Sequence, residues 1–138
     1  MGEVLVVDDN DDIRELIAMR VEHAGHHVTS IGDPRLALET AARMHVDLAL
    51  LDWSMPGMSG GELCARLHEL PELAGVPVVI VTAHTDEDTR RSAAAAGATG
   101  YLTKPFTMRD LDAQVARMLA VRPRAGDSPE VVDGLASA

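Results

Sequence analysis

The sequence is poor in cysteine, aromatic residues and basic charge, and each shortage excludes a class of protein. It has one cysteine, Cys64, so no disulfide can form within the chain. One Phe, one Tyr and one Trp among 138 residues leave little surface on which nucleic-acid bases could stack. Lys and Arg number 12 against 22 Asp and Glu, and a formal net charge of -10 would repel a phosphate backbone. We therefore expect no nucleic-acid binding by this domain.

Long apolar runs are also missing. No stretch approaches the roughly 18 uninterrupted apolar residues that a membrane-spanning helix needs, and the first residues lack the basic start and apolar run of a secretory signal. We therefore expect a cytoplasmic protein without a membrane segment. The length is typical of one domain with one core, which must be aliphatic because aromatic residues are scarce.

Short apolar runs alternate with helical patterns along the chain. The runs are continuous and mostly aliphatic, which is typical of strands covered on both faces; they span residues 4–7, 28–31, 48–51, 78–81 and 100–103. Helix-start signals lie between them, such as Asp33 before Pro34, and Thr107 three residues before Asp110. Five strand-helix units predict an α/β fold, a parallel sheet with helices on both faces.

The composition changes near the end of the sequence. Residues 123–138 contain two prolines, two glycines and only scattered apolar residues. We interpret them as a flexible tail or the start of a linker, following a domain that spans residues 1–122.

Polar residues follow four of the five predicted strands. Asp8 and Asp9 follow the first, Asp52 the third, Thr82 the fourth and Lys104 the fifth. Because the carboxyl ends of parallel strands meet at one edge of a sheet, we expect these side chains to converge there. Crowded carboxylates need a compensating cation, and Mg2+ prefers such oxygen ligands. The only lysine among the 12 basic residues is Lys104, a compact charge suited to a carboxylate or a phosphoryl oxygen.

Each of these residues has a simpler structural explanation when it is taken alone. Asp8 and Asp9 could cap a helix, Thr82 could satisfy backbone groups at a strand end, and Lys104 could be a solvated surface charge. Their joint occurrence after neighbouring strands favours one shared site over separate structural roles.

Four segments, in this order along the chain, resemble the receiver-domain family, the phosphoacceptor domains of two-component response regulators. They are Val6-Val7-Asp8-Asp9, the stretch 51–60 that contains Asp52, Val81-Thr82-Ala83, and the stretch 100–106 that contains Lys104. The resemblance extends from residue 4 to about residue 119. It implies a flavodoxin-like (βα)5 three-layer sandwich with strand order 2-1-3-4-5.

The resemblance also implies how a phosphoryl group is received. Asp52 would be the phosphorylation site and nucleophile, taking the group from a phosphohistidine of a histidine kinase or histidine phosphotransfer protein. The reaction would need Mg2+, with Mn2+ as a substitute. Asp9 and Asp52 would bind the metal directly, Asp8 mainly through water, and Ser54 through its backbone carbonyl.

Further roles implied by the resemblance concern the surroundings of Asp52. Thr82 and Lys104 would share in catalysis by contacting phosphoryl oxygens. Thr82 and Tyr101 would form a switch, in which Thr82 moves toward the phosphoryl group, Tyr101 enters the vacated space, and the surface of helix four, strand five and helix five changes for partner binding. The border of the phosphoryl site would consist of Ser54, Ala83, His84 and Pro105.

Two alternatives come from other classes of protein. An aspartate-nucleophile phosphatase would also use Asp52, Mg2+ and a lysine, but such enzymes resemble one another in a second acid two residues after the nucleophile, where this chain has Ser54. A degenerate receiver would serve only as a protein-binding module, yet no acidic, hydroxyl or lysine position is missing. We expect a signalling domain that assists its own phosphotransfer and dephosphorylation, and we leave open whether its output is a separate protein target or a fused domain.

Trp53, the only tryptophan, offers a direct test of the predicted metal site because it is the neighbour of Asp52. Mg2+ should change the tryptophan emission to saturation, and the effect should weaken in Asp9→Ala, which loses a metal ligand without altering the indole. Beryllofluoride should cause a second change only when Mg2+ is present. Emission that ignores both additives, in protein shown by calorimetry to bind them, would mean that the indole does not sense the site.

Overall fold

Five parallel strands form the sheet that the apolar runs predict. The computed structural model describes residues 2–121. In it the strands are β1 (Glu3–Val7), β2 (His27–Ile31), β3 (Leu48–Leu51), β4 (Val78–Thr82) and β5 (Gly100–Thr103). Their order in the sheet is β2-β1-β3-β4-β5. This confirms the α/β fold and the strand order implied by the resemblance. The predicted tail, residues 123–138, lies outside the described residues, so its boundary stays a prediction.

Helices follow the strands and cover both faces of the sheet. They are α1 (Asp11–His23), α2 (Pro34–Ala41), α3 (Gly60–Glu69), α4 (Glu87–Ala95) and α5 (Met108–Val121). Core residues of α2, α3 and α4 pack on one face, and those of α1 and α5 pack on the other. Alternate residues of a strand point to opposite faces, so Leu5 and Val7 enter the first core while Val4 and Val6 enter the second. Both faces are therefore buried, as the continuous apolar strands predict.

Helix starts depend on polar side chains that accept a backbone N–H of the first turn. The predicted caps are confirmed: Asp33 accepts from the amide of Arg35 at 3.1 Å, and Thr107 accepts from that of Asp110 at 2.9 Å. Leu16 of α1 is 39% exposed although it is apolar. The buried positions of α1 are Ile17 and Val21, one helical turn apart, which leaves Leu16 at the side of the helix.

The single thiol lies inside the α3 side of the core. Cys64 is fully buried, and its Sγ donates to the carbonyl of Ala96 at 3.4 Å. Burial raises the pKa of the Cys64 thiol to about 11. Cys64 is thus a packing residue, in agreement with its apolar neighbours in the sequence.

Within residues 2–121, no helix is both long and apolar enough to cross a bilayer.

The chain turns sharply between β3 and α3, and glycine makes this turn possible. The amide of Gly60 donates to the carbonyl of Trp53 at 2.8 Å. A Cβ at residue 60 would lie 2.2 Å from the carbonyl oxygen of Asp52 and 3.0 Å from the Cα of Trp53. These are backbone atoms, so a side chain at this position would displace the segment that carries Asp52.

Gly60→Ala is therefore expected to destabilise the fold by about 1–3 kcal/mol, the usual cost of overpacking a tight site. Urea unfolding followed by circular dichroism measures this change. Gly75→Ala is the matched control, because a Cβ at residue 75 meets nothing within 4 Å. Equal stabilities of Gly60→Ala and Gly75→Ala would contradict the close approach.

Candidate functional site

Parallel register brings the predicted acidic residues together at the carboxyl edge of the sheet. Val7 of β1 pairs with Leu51 of β3, so the next residues, Asp8 and Asp52, leave adjacent strands side by side. A carboxylate oxygen from each of Asp8, Asp9 and Asp52 lies within 4.8 Å of the others. Asp8 and Asp52 are 1% and 8% exposed, whereas Asp9 is exposed. The expected convergence of the three carboxylates is thus present in the structure.

Lys104 faces this acidic group from the end of β5. Its Nζ lies 2.9 Å from Oδ2 of Asp8 and 3.7 Å from Oδ1 of Asp52. The backbone of Lys104 is tied to β4, since its amide donates to the carbonyl of Thr82 at 2.8 Å. The lysine side chain is 18% exposed, which does not fit the explanation of a solvated surface charge.

The surroundings of Asp52 disfavour its ionised form. Burial is the first cause that raises the pKa of Asp52, and the negative charge of Asp8 is the second; Asp9 adds a smaller effect. The charge of Lys104 and a hydrogen bond from the backbone N–H of Trp53 lower the pKa, but the net shift is upward. The carboxylate therefore gains from any further cation placed beside it.

The donor set fits a hard divalent cation. Three carboxylates meet in one place, two of them buried, and a single ammonium offsets only part of their charge. Mg2+ prefers oxygen ligands and retains several waters, so few protein ligands suffice. Asp8, Asp9 and Asp52 are the side chains that could hold it. The predicted use of the Ser54 carbonyl stays a prediction.

The end of the first strand shows why Asp8 and Asp9 are not the cap of the next helix. Asn10 caps α1, and its Oδ1 accepts from the amide of Ile13 at 3.0 Å. The Oδ1 of Asp8 instead accepts from the amide of Asn10 at 2.9 Å, and so shapes the loop. Capping of α1 therefore does not explain the presence of Asp8 and Asp9. Asn10, a strong capping residue directly before Asp11, marks this helix start in the sequence.

The two predicted switch residues meet at the backbone of His84. The Oγ1 of Thr82, 1% exposed, accepts from the amide of His84 at 3.3 Å. The hydroxyl of Tyr101 donates to the carbonyl of the same residue at 2.9 Å. The guanidinium of Arg90 in α4 lies 4.5 Å from the centre of the tyrosine ring. Thr82 and Tyr101 are therefore connected through the backbone of one loop residue, His84, which the sequence predicts only at the border of the site. Arg90 in turn connects the tyrosine ring to α4.

Two of the four predicted border residues contact each other. Ser54 Oγ and His84 Nε2 lie 2.9 Å apart, joining the loop after β3 to the loop after β4. Nδ1 of His84 lies 3.9 Å from a carboxylate oxygen of Asp86. The other two border residues are exposed beside strand ends: Ala83 follows β4, and Pro105 follows Lys104.

Trp53, adjacent to Asp52, has its ring over the start of α3. A Cβ at Gly61 would lie 2.8 Å from Cη2 of the indole, so glycine leaves the space that the ring occupies. Trp53 is partly buried and packs against the core on the α3 side of the sheet. It therefore contributes to the packing of the loop, and its sensitivity to bound metal stays a prediction.

Comparisons with known proteins agree with these features. A family model described as response regulator receiver domain matches residues 4–116. The phosphate regulon transcriptional regulatory protein PhoB of Pseudomonas aeruginosa is 38% identical over 136 residues, which cover 96% of this chain and 58% of that protein. The chain thus spans little more than half the length of this curated relative.

Solved structures extend the comparison to the fold. The chemotaxis response regulator CheY4 of Vibrio cholerae has a TM-score of 0.82 and 32% sequence identity, covering 86% of this chain and 99% of that one. The receiver domain of sensor histidine kinase PA1611 from Pseudomonas aeruginosa, solved with a magnesium ion in its active-site cleft, has a TM-score of 0.79 and 27% identity, covering 86% and 98%.

The raised pKa of Asp52 predicts a pH-dependent effect of removing its charge. The folded protein keeps the Asp52 proton to higher pH than the unfolded chain does, so ionisation of Asp52 lowers stability as the pH rises through this range. Asp52→Asn cannot ionise. In metal-free buffer it is expected to raise the free energy of unfolding at neutral pH, and the gain should shrink toward about pH 3, where the Asp52 carboxyl is mostly protonated in both states.

Urea unfolding at several pH values measures this gain. Asp33→Asn is the control, since residue 33 is an exposed helix cap and Asn also caps well. A gain that does not depend on pH, or a less stable Asp52→Asn at neutral pH, would contradict the electrostatic account.

Proposed function

The chain belongs to the response regulator receiver domain family, the phosphoacceptor domains of two-component systems, and we propose that Asp52 is the residue that accepts the phosphoryl group. The observation that carries this assignment is the position of Asp52. It is a buried carboxylate at the end of a central strand, beside two other carboxylates and 3.7 Å from the Lys104 ammonium. Such a carboxylate can act as a nucleophile only where positive charge offsets its neighbours.

The proposed step transfers the group from nitrogen to oxygen. An Oδ of Asp52 attacks the phosphorus of a phosphohistidine on a histidine kinase or histidine phosphotransfer protein; the P–N bond breaks as the O–P bond forms, and the electron pair returns to the imidazole. The product is an acyl phosphate on Asp52. When held by Asp8, Asp9 and Asp52, Mg2+ supplies positive charge to the oxygens of the transferring group.

Lys104 and Thr82 are proposed to receive the other phosphoryl oxygens. Lys104 is already held at the site by Asp8, so its ammonium needs little reorganisation to contact a group bound to Asp52. Thr82 ends the strand next to β3, and its hydroxyl can donate when it turns away from the His84 amide. Both residues would thus contact oxygen atoms that are present only after Asp52 has been phosphorylated.

The same hydroxyl is proposed to start the switch. A turn of Thr82 toward the phosphoryl group releases the amide of His84, whose carbonyl is held by the hydroxyl of Tyr101. Because Arg90 packs on the tyrosine ring, a move of Tyr101 changes contacts of α4 as well as β5. The affected surface is that of α4, β5 and α5, which would be the surface offered to a downstream protein or a fused output domain.

The alternatives have less support. The residue two positions after Asp52 is Ser54, whose hydroxyl is hydrogen-bonded to His84. This position therefore lacks the carboxylic acid that an aspartate-nucleophile phosphatase would use as its general acid. A receiver that only binds proteins would not need buried Asp8, Asp52 and Lys104 in contact. We propose that any loss of the phosphoryl group to water is self-dephosphorylation, at a rate influenced by the bordering Ser54 and His84.

Phosphorylation of Asp52 is tested by the intact mass of the protein after incubation with acetyl phosphate and Mg2+. Wild-type protein and the control Asp33→Asn should each gain one phosphoryl group, and EDTA should prevent the gain. Asp52→Asn should gain none while keeping the wild-type circular dichroism spectrum, because an amide is not nucleophilic enough to replace the carboxylate. An equal gain by Asp52→Asn would sink the assignment.

A further inference from the structure

Arg14 of α1 has no part in the chemistry above, yet its guanidinium reaches back to the loop that carries the acidic residues. Nη1 donates to the backbone carbonyl of Asp8 at 2.8 Å, and Nη2 lies 2.7 Å from a carboxylate oxygen of Asp11. The Arg14 side chain is only 15% exposed, although that of Asp11 is 76% exposed. The planar fork of arginine is suited to hold two acceptors at once in a fixed geometry.

Gly32, directly after β2, provides the space for this guanidinium. A Cβ at residue 32 would lie 2.8 Å from Nη1 of Arg14 and 3.8 Å from the carbonyl oxygen of Asp8. The backbone does not require glycine here, since Gly32 is not among the glycines with positive φ, which within residues 2–121 are Gly25, Gly57 and Gly97. The absent side chain is therefore explained by the slot that it leaves for Arg14.

Asp8 is fixed from three directions. Its Oδ2 accepts from Lys104, its Oδ1 accepts from the amide of Asn10, and its backbone carbonyl accepts from Arg14. The first two contacts orient the carboxylate, while the third holds the peptide that joins Asp8 to Asp9. Loss of the third contact would free that peptide to rotate and would carry the Asp9 carboxylate with it.

We infer that Arg14 and Gly32 form a positioning pair, in which the guanidinium seated against Gly32 holds the Asp8–Asp9 peptide in the geometry that binds the divalent cation and thereby sets the affinity for Mg2+. This inference rests on the proposed function, because it assumes that Asp8 and Asp9 serve the metal. Arg14 touches neither metal nor phosphoryl group. It acts through the peptide, as groups that orient metal ligands do.

Isothermal titration of metal-free protein with MgCl2 tests the pair. Arg14→Ala should raise the Kd for Mg2+ by about 10-fold, the lower range for loss of a group that orients a ligand. Arg14→Lys should lie between Arg14→Ala and wild type, because an ammonium can reach one acceptor but not both.

Gly32→Ala gives the sharper test. The atom that its methyl group meets is the far end of a flexible side chain, so the fold can persist while the guanidinium leaves the Asp8 carbonyl. Gly32→Ala should weaken Mg2+ binding about as much as Arg14→Ala, and the double variant should be no weaker than Arg14→Ala alone. Matched controls are Gly75→Ala, in open space, and Arg35→Ala, an exposed arginine of α2; both should bind Mg2+ as wild type does.

A wild-type Kd in Arg14→Ala or in Gly32→Ala would overturn the inference, and so would losses that multiply in the double variant. A purely structural role would lower the Tm without changing the Kd for Mg2+, and that result would also overturn it. If Arg14→Ala does not fold, Arg14→Lys and Gly32→Ala decide the question.

The proposed function is judged separately, by phosphoryl uptake of the wild-type protein. Failure of that uptake with the Mg2+ effects present would contradict the phosphoacceptor role of Asp52 and leave the positioning pair standing.

Discussion

The other features of the molecule depend on one constraint, the mutual repulsion among three carboxylates whose oxygens lie within 4.8 Å of one another. Two of them are buried, so water screens them poorly, and the fold must supply the compensation itself. Lys104 does so only in part, because its ammonium is nearer to Asp8 than to Asp52. The uncompensated negative charge lies mainly at Asp52. It favours the binding of a cation, and then of a group whose negative oxygens both the cation and Lys104 can contact.

The sheet can hold this unfavourable cluster because its strands are stabilised from both sides. Apolar residues of β1 and β3 are buried in two separate cores, one under α2, α3 and α4 and the other under α1 and α5. Strand positions are therefore fixed up to the last apolar residue, and Asp8 and Asp52 are the first residues beyond it. The polar residues of the site therefore begin directly after the buried apolar part of each strand. The tight turn at Gly60 then brings the chain back against the backbone of Asp52 and Trp53.

Much of this arrangement was predictable from the sequence, and the limits have a physical reason. Strand-end residues could be placed together because parallel register obeys a simple rule, and helix caps such as Asp33 follow from local chemistry. Contacts between loops obey no such periodicity. The bond between Ser54 and His84, and the meeting of Thr82 and Tyr101 at one peptide, depend on loop paths that are set by the whole packed structure. The contact of Arg14 with Asp8 likewise depends on the space left by Gly32, which follows β2.

The burial of Cys64 has a practical consequence for following the motion of this protein in solution. Because burial raises the thiol pKa to about 11, Cys64 is almost entirely protonated at neutral pH, and its sulfur is enclosed by the core. Maleimide dyes and spin labels react with thiolates at accessible positions. A cysteine introduced on the exposed side of α4 would therefore be labelled selectively while the native residue is left in place. The motion of α4 could then be followed through that label without first replacing Cys64.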